Sequence, residues 1–79
     1  MNKTLTIFFF GQLTDITGSS KVNNIEANDT DELCERLLEQ FPLLKQATYV
    51  IAVDRKIIRQ NTSLEDVNEI AFLPPFSGG

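Results

Sequence analysis

Seventy-nine residues, 42% apolar and 23% charged, describe one small globular domain. The chain is too short for two cores and too mixed for disorder, collagen or a coiled coil. Seven Lys and Arg against eleven Asp and Glu leave a net charge of −4, which argues against nucleic acid and favours solubility and a basic protein partner. A single Cys excludes an internal disulfide and suits a reducing compartment. With no His in the chain, imidazole acid–base chemistry is absent and no metal site is expected.

Thr4 to Phe10 alternates Leu5, Ile7 and Phe9 against Thr6, Phe8 and Phe10, the spacing of two that a strand needs. Both faces are largely apolar, so the strand is central or offers its second face to a partner. Its apolar run, Ile7-Phe8-Phe9-Phe10, is far short of the ~20 residues that span a bilayer. The start, Met1-Asn2-Lys3-Thr4, has no apolar h-region or small-residue cleavage site. No membrane association is expected, and the expected location is cytoplasmic. Gly11 to Ser20 reads as loop, with Gly18-Ser19-Ser20 as a turn signal. Lys21 to Glu26, carrying Val22 and Ile25, reads as a weaker second strand at an edge.

Asn28-Asp29-Thr30 is a helix-start cluster. Asp29 with Glu32 has capping-box spacing, and Thr30 is an equal N-cap candidate. Leu33, Cys34, Leu37, Leu38 and Phe41 then share one stripe, while Asp31, Glu32, Glu35, Arg36 and Glu39 take the other face. Pro42 ends this helix near Phe41. Cys34 on the apolar stripe is a core residue, as cysteines commonly are. Tyr49–Val53 is a third strand. Asp54-Arg55 makes a tight turn into a fourth, Lys56–Arg59. Gln60 to Asn68 is a polar connection pinned by Leu64 and Val67, and Ile70–Leu73 is the last strand. One amphipathic helix on one face of a small mixed sheet is the economical α+β solution.

The domain is thus expected over residues 1–73, with residues 74–79 as a tail. That tail, Pro74-Pro75-Phe76-Ser77-Gly78-Gly79, is the most informative segment. Two prolines favour an extended path. At ordinary Gly usage a terminal Gly-Gly arises about once in 200 chains. A bare Gly-Gly end is the narrowest peptide that can thread into another protein's active site. Its carboxylate is a poor electrophile until given a good leaving group. No phosphate-binding Gly-rich loop is present, so the ATP chemistry must come from a partner. The chain reads as a carrier whose own terminus, Gly79, reacts, rather than as an enzyme.

Ile70-Ala71-Phe72-Leu73-Pro74-Pro75-Phe76-Ser77-Gly78-Gly79 resembles the C-terminus of the molybdopterin synthase small-subunit family of ubiquitin-like sulfur carriers. Phe9-Phe10-Gly11-Gln12-Leu13, with Gly18 closing the loop, looks like that family's first strand and loop. The resemblance implies a ubiquitin-like β-grasp fold with the first and last strands side by side and parallel. It implies that an adenylyltransferase related to ubiquitin-activating enzymes adenylates Gly79 with ATP. Sulfide equivalents from a persulfide donor then leave a thiocarboxylate. It further implies a heterotetramer with the large synthase subunit, in which Pro74, Pro75, Phe76, Ser77 and Gly78 thread the partner site. There the tail delivers sulfur to cyclic pyranopterin monophosphate, and the product is molybdopterin. No cofactor is expected to reside on the carrier. One departure is Asp66-Val67-Asn68 where the family often has Asp-Gly-Asp. Val67 tolerates a positive φ poorly, so the turn must differ, with Asn68 as the candidate for the left-handed region.

Five of the six Phe residues fall in the first strand and the C-terminal segment. If Leu5, Ile7 and Phe9 face the helix, then Phe8 and Phe10 face away, and Leu73 is free to join them. A chain of this length cannot supply a second buried layer. Phe10, Ile57 and Leu73 are therefore the expected partner-docking patch, and the resemblance matches the same positions. Three alternatives follow from other readings of the tail. They are a sulfur carrier for thiazole, cysteine or tRNA thiolation, a ubiquitin-like modifier of lysines, and an interaction module with an inert end.

Overall fold

The computed structural model describes residues 4–75. Five strands, β1 (Thr4–Phe9), β2 (Lys21–Glu26), β3 (Val50–Val53), β4 (Lys56–Ile58) and β5 (Ile70–Leu73), form one sheet in the order β2-β1-β5-β3-β4. β1 and β5 are parallel neighbours at the centre, and every other pairing is antiparallel. A five-residue helix α1 (Leu13–Thr17), the main helix α2 (Thr30–Gln40) and a 3-10 helix (Pro42–Gln46) complete the described elements. This is the β-grasp arrangement expected from the sequence, a mixed sheet with one main helix across one face.

The helix begins as its residues dictate. Asp29 takes an extended conformation, and its carboxylate accepts the Glu32 N–H at 2.8 Å. Glu32 reaches back to accept the Asn28 N–H at 2.7 Å, so two orphan donors of the first turn are satisfied. Asp29 rather than Thr30 is the N-cap. Thr30 instead ties the helix start to the polar connection. Its hydroxyl donates to Asn61 Oδ1 at 3.2 Å and accepts the Thr62 N–H at 2.9 Å. The Phe41 N–H donates to the Leu37 carbonyl, and Pro42 follows. Leu33 and Leu37 are fully buried, while Cys34, Leu38 and Phe41 pack against the core from its margin.

The sheet contributes Leu5, Ile7, Phe9, Val53, Ile70 and Phe72 to that core. Phe9 and Phe72 are cross-strand partners with ring centroids 5.3 Å apart, and Phe41 and Tyr49 pack on them edgewise and tilted. Burying each such side chain stabilises by about 2 kcal/mol. Leu64 and Val67 are buried, as the pattern of the polar connection predicts.

Three local features differ from the sequence reading. Within Gly11 to Ser20 lies α1, bracketed by Gly11 at φ +61° and Gly18 at φ +76° and anchored by buried Leu13. β1 stops at Phe9, β3 starts at Val50 and β4 ends at Ile58, each a residue short of expectation. Asn68 does not take the left-handed region. The non-glycine residues that do, among those described, are Asn24, Asp54 and Arg55. Asp54 and Arg55 form the two-residue β3–β4 turn whose twist suits a hairpin. Asp54 Oδ1 accepts the N–H groups of Asn68 and Glu69 at 3.0 and 2.9 Å. That clamp shapes the segment before β5 without a positive φ at residue 68.

Candidate functional site

With one helix on one face, the other face of the sheet has no cover among the described elements. Alternation fixes its composition. Ile7, Phe9, Ile70 and Phe72 point to the core, so Phe8, Ala71 and Leu73 point away. Pairing carries the same side across the sheet. Lys21 pairs with Phe8, Phe8 with Ala71, Ala71 with Ala52, and Ala52 with Ile57. One row thus crosses all five strands. A second row lies toward the end where β5 leaves the sheet: Val50 pairs with Leu73, and the Phe10 N–H donates to the Phe72 carbonyl at 3.1 Å. Phe10 is 47% and Ile57 48% exposed, and Leu73 is half-buried. Ala52 and Ala71 are nearly covered by the larger side chains around them.

The opposite end of this face is polar. The Thr6 hydroxyl donates to Asn23 Oδ1 at 3.1 Å, and Arg55 pairs with Glu69 at 3.7 Å. The face is therefore graded, and its apolar half lies beside the exit of β5. Pro74 and Pro75 follow β5 directly at that exit. Pro74 sits against the β1–α1 loop, where a Cβ on Gly11 would fall 2.6 Å from Pro74 Cγ. Only glycine meets both conditions there, the left-handed backbone and the close approach.

Of the residues expected to form the site, the fold brings Phe10 and Leu73 together at the exit and places Ile57 two strands from β5, on the outer row. Pro74 and Pro75 form the root of the tail. Phe76, Ser77, Gly78 and Gly79 lie outside the described residues. The contribution of Val50, Ala52 and Ala71 to the face, and of Gly11 to the root, was not read from the sequence. The alternation in Val50–Val53 and Ile70–Leu73 carried the first signal. The second depends on a through-space contact that no local pattern encodes.

An open cleft of about 670 Å³ lies on the other side of the root, lined by Leu13, Ile16, Leu43, Ala47, Pro74 and Pro75 among others. Cys34 faces neither region. It packs against the core, and its sulfur accepts a hydrogen bond from the Tyr49 hydroxyl. Burial pushes its thiol up from the ordinary value, against the smaller opposing effect of Tyr49. Tyr49 is raised as well, by burial first and then by Cys34. Such a thiol is a poor nucleophile near neutral pH. No helix among the described residues is long and apolar enough to cross a membrane.

Comparison with known proteins agrees with this geometry. The model of the ThiS family matches residues 7–79. A Caenorhabditis elegans protein described as a molybdopterin synthase sulfur carrier subunit is 30% identical over 82 aligned positions, covering 96% of this chain and 98% of the relative. A solved complex of subunits 1 and 2 of molybdopterin-converting factor from Helicobacter pylori contains a chain 32% identical. That match has a TM-score of 0.73 and covers 98% of this chain and 100% of that one. The small archaeal modifier protein 1 of Methanosarcina acetivorans shares the fold, with a TM-score of 0.80 at 21% identity over 100% of this chain and 99% of that one.

Proposed function

The chain belongs to the ThiS family, and from that premise we propose that it is a sulfur carrier of molybdenum cofactor biosynthesis, the small, non-catalytic subunit of molybdopterin synthase. Gly79 supplies the reacting carboxylate. A ubiquitin-activating-enzyme-like adenylyltransferase joins it to AMP from ATP, releasing pyrophosphate. A thiol reductant releases the outer sulfur of a persulfide donor as sulfide and is itself oxidised to a disulfide; the sulfide then attacks the acyl carbon, AMP leaves, and a thiocarboxylate remains. The large synthase subunit binds the loaded carrier as a heterotetramer, and the sulfur passes to cyclic pyranopterin monophosphate. A lone thiol suits a reducing compartment, which supports a cytoplasmic setting for this chemistry.

The observation that carries the reading is the position of β5. It is a central strand, paired on both sides, and it runs straight into Pro74-Pro75 beside the apolar half of an uncovered sheet face. A rigid root on a rigid strand fixes where the tail begins, while Phe10, Leu73 and Ile57 hold the partner. Docking then supplies the effective concentration that the weakly reactive terminus lacks. The thiocarboxylate sulfur is a soft nucleophile, and a partner pocket entered by Pro74 to Gly79 excludes competing water.

The test is the intact mass of the protein after incubation with ATP, sulfide and the adenylyltransferase. The expected result is a gain of one oxygen-to-sulfur exchange, lost on deletion of Gly79. An unchanged mass with an enzyme shown to be active on another carrier would overturn the reading.

A further inference from the structure

The described chain ends against a cleft. Pro74 and Pro75 form one wall, and α1 and the 3-10 helix supply Ile16 and Leu43 to the others. The cavity, about 670 Å³, includes none of Phe10, Ile57 and Leu73 in its lining. Leu43 is 60% exposed, the most exposed large apolar side chain among the described residues. Ile16 is half-buried and Pro75 is exposed. Among the residues that line the cleft, Asp15 alone is charged. The site therefore favours an apolar group over an anion.

The chain continues from Pro75 as Phe76-Ser77-Gly78-Gly79. Phe76 is the one large apolar side chain in that segment, and its Cα lies one step of about 3.8 Å from that of a wall residue. A Phe side chain removes on the order of 150–250 Å² from water when buried, and the cleft is larger than one ring. We infer that the cleft is the resting place of the chain's own Phe76, whose ring docks between Leu43, Ile16 and Pro75 in the free protein and leaves when a partner takes up the tail. Tethering by Pro75 gives the ring a high effective concentration at the site. Ordering the tail opposes docking, so the contact is shallow and reversible. Asp15 disfavours the Gly79 carboxylate, so the ring enters while the terminus stays outside. A ring docked in about two of three molecules weakens capture of the tail only about threefold, because apparent affinity scales with the competent fraction. The inference concerns the free chain and stands or falls independently of the carrier reading.

The test uses the full chain alone. Chymotrypsin cuts after a large apolar residue seated in its S1 slot. The Phe76–Ser77 bond is therefore cut only while the ring is out of the cleft, and the rate tracks the open fraction. Intact mass reads the loss of Ser77, Gly78 and Gly79. Leu43→Asp is expected to speed this cut at least about threefold, and Leu43→Ala to speed it less. Lys45→Asp is a larger charge change on the same 3-10 helix at a residue outside the cleft lining, and it should leave the rate unchanged. Circular dichroism melts establish that each variant is folded. In the free wild type, nuclear Overhauser contacts should join the Phe76 ring to the methyl groups of Leu43 and Ile16. Equal cutting of wild type and Leu43→Asp, or absence of those contacts, overturns the inference. Cutting of the wild type that quickens on dilution overturns it as well, and assigns the cleft to the tail of a second copy. If Leu43→Asp weakens binding to the large synthase subunit and leaves the cut unchanged, the cleft belongs to that partner and the inference falls.

Discussion

Gly11 and Pro74 meet where the chain leaves the sheet, and their contact is tight enough to forbid any side chain at residue 11. Gly11 sits at φ +61°, and the nearest atom to a hypothetical Cβ is a carbon of a proline ring, which cannot rotate aside. Gly11→Ala therefore combines a left-handed alanine, about 1–2 kcal/mol, with displacement of the tail root. Gly18→Ala has the strain alone, since nothing lies within 4 Å of its Cβ position. Thermal melts should show Gly11→Ala losing clearly more, with each kcal/mol worth about 4–8 °C in a domain of this size. Equal losses would show that Pro74 yields at no cost. Gly11→Ala should also load sulfur less well at equal folded concentration.

Asp54 links the β3–β4 turn to the entry of β5. Its Oδ1 accepts two backbone N–H groups, and its backbone holds a φ of +48°. Asp54→Ala removes both acceptors and should cost about 1–2 kcal/mol, as expected for charge-assisted bonds at a partly exposed site. Asp54→Asn keeps an acceptor and a residue that tolerates the left-handed region, so it should retain most of that stability. Chemical denaturation of the two variants checks the difference. Equal losses would show that the carboxylate's charge carries the clamp.

Cys34 and Tyr49 give the fold an alkaline limit. Burial raises both groups, so the folded state favours their neutral forms. This stability is complete below the unfolded pKa values and is lost as pH rises through the folded ones. For the thiol the loss begins above about pH 8.5. Melting temperature should therefore decline through that alkaline range, and Cys34→Ala should flatten the first part of the decline. Tyr49→Phe removes the hydrogen bond that favours the thiolate, so iodoacetamide should modify Cys34 more slowly at pH about 9. Faster modification would show that the ring acts mainly as a shield.

Much of this architecture was legible because its signals are periodic. Leu5/Ile7/Phe9 fixed the buried side of β1, and Leu33/Leu37 fixed that of α2. Asp29 and Pro42 marked the helix ends with side chains that act within a few residues. What escaped was either too short for a period or set by contacts across the fold. α1 has five residues between two glycines, and the 3-10 helix after Phe41 has five beginning with Pro42. The shape of the turn before β5 could not be read from Asp66-Val67-Asn68. It depends on Asp54, which lies in another hairpin. The outer face was legible in part: Phe10, Ile57 and Leu73 stood out as large residues, while Ala52 and Ala71 were too small to attract notice until the register aligned them.

Phe72 and Leu73 are adjacent in sequence and opposite in role, which makes them a direct test of the two-sided sheet. Phe72 is fully buried and packs on the rings of Phe9 and Tyr49. Phe72→Ala opens a cavity costing about 3–5 kcal/mol, a large part of the 5–15 kcal/mol typical of small domains. It should leave the domain largely unfolded near 37 °C. Leu73 is half-buried on the outer face, beside Val50. Leu73→Asp removes modest packing and leaves its charge partly hydrated, so the domain should stay folded with a loss of about 1 kcal/mol. Binding to the large subunit, however, should fall by at least about 30-fold, as for a central apolar anchor worth 2 kcal/mol or more. Melts and a binding isotherm on the two variants read these outcomes separately. A folded Leu73→Asp that binds normally would remove the outer face from the function, and a stable Phe72→Ala would mean that the core repacks around Phe9.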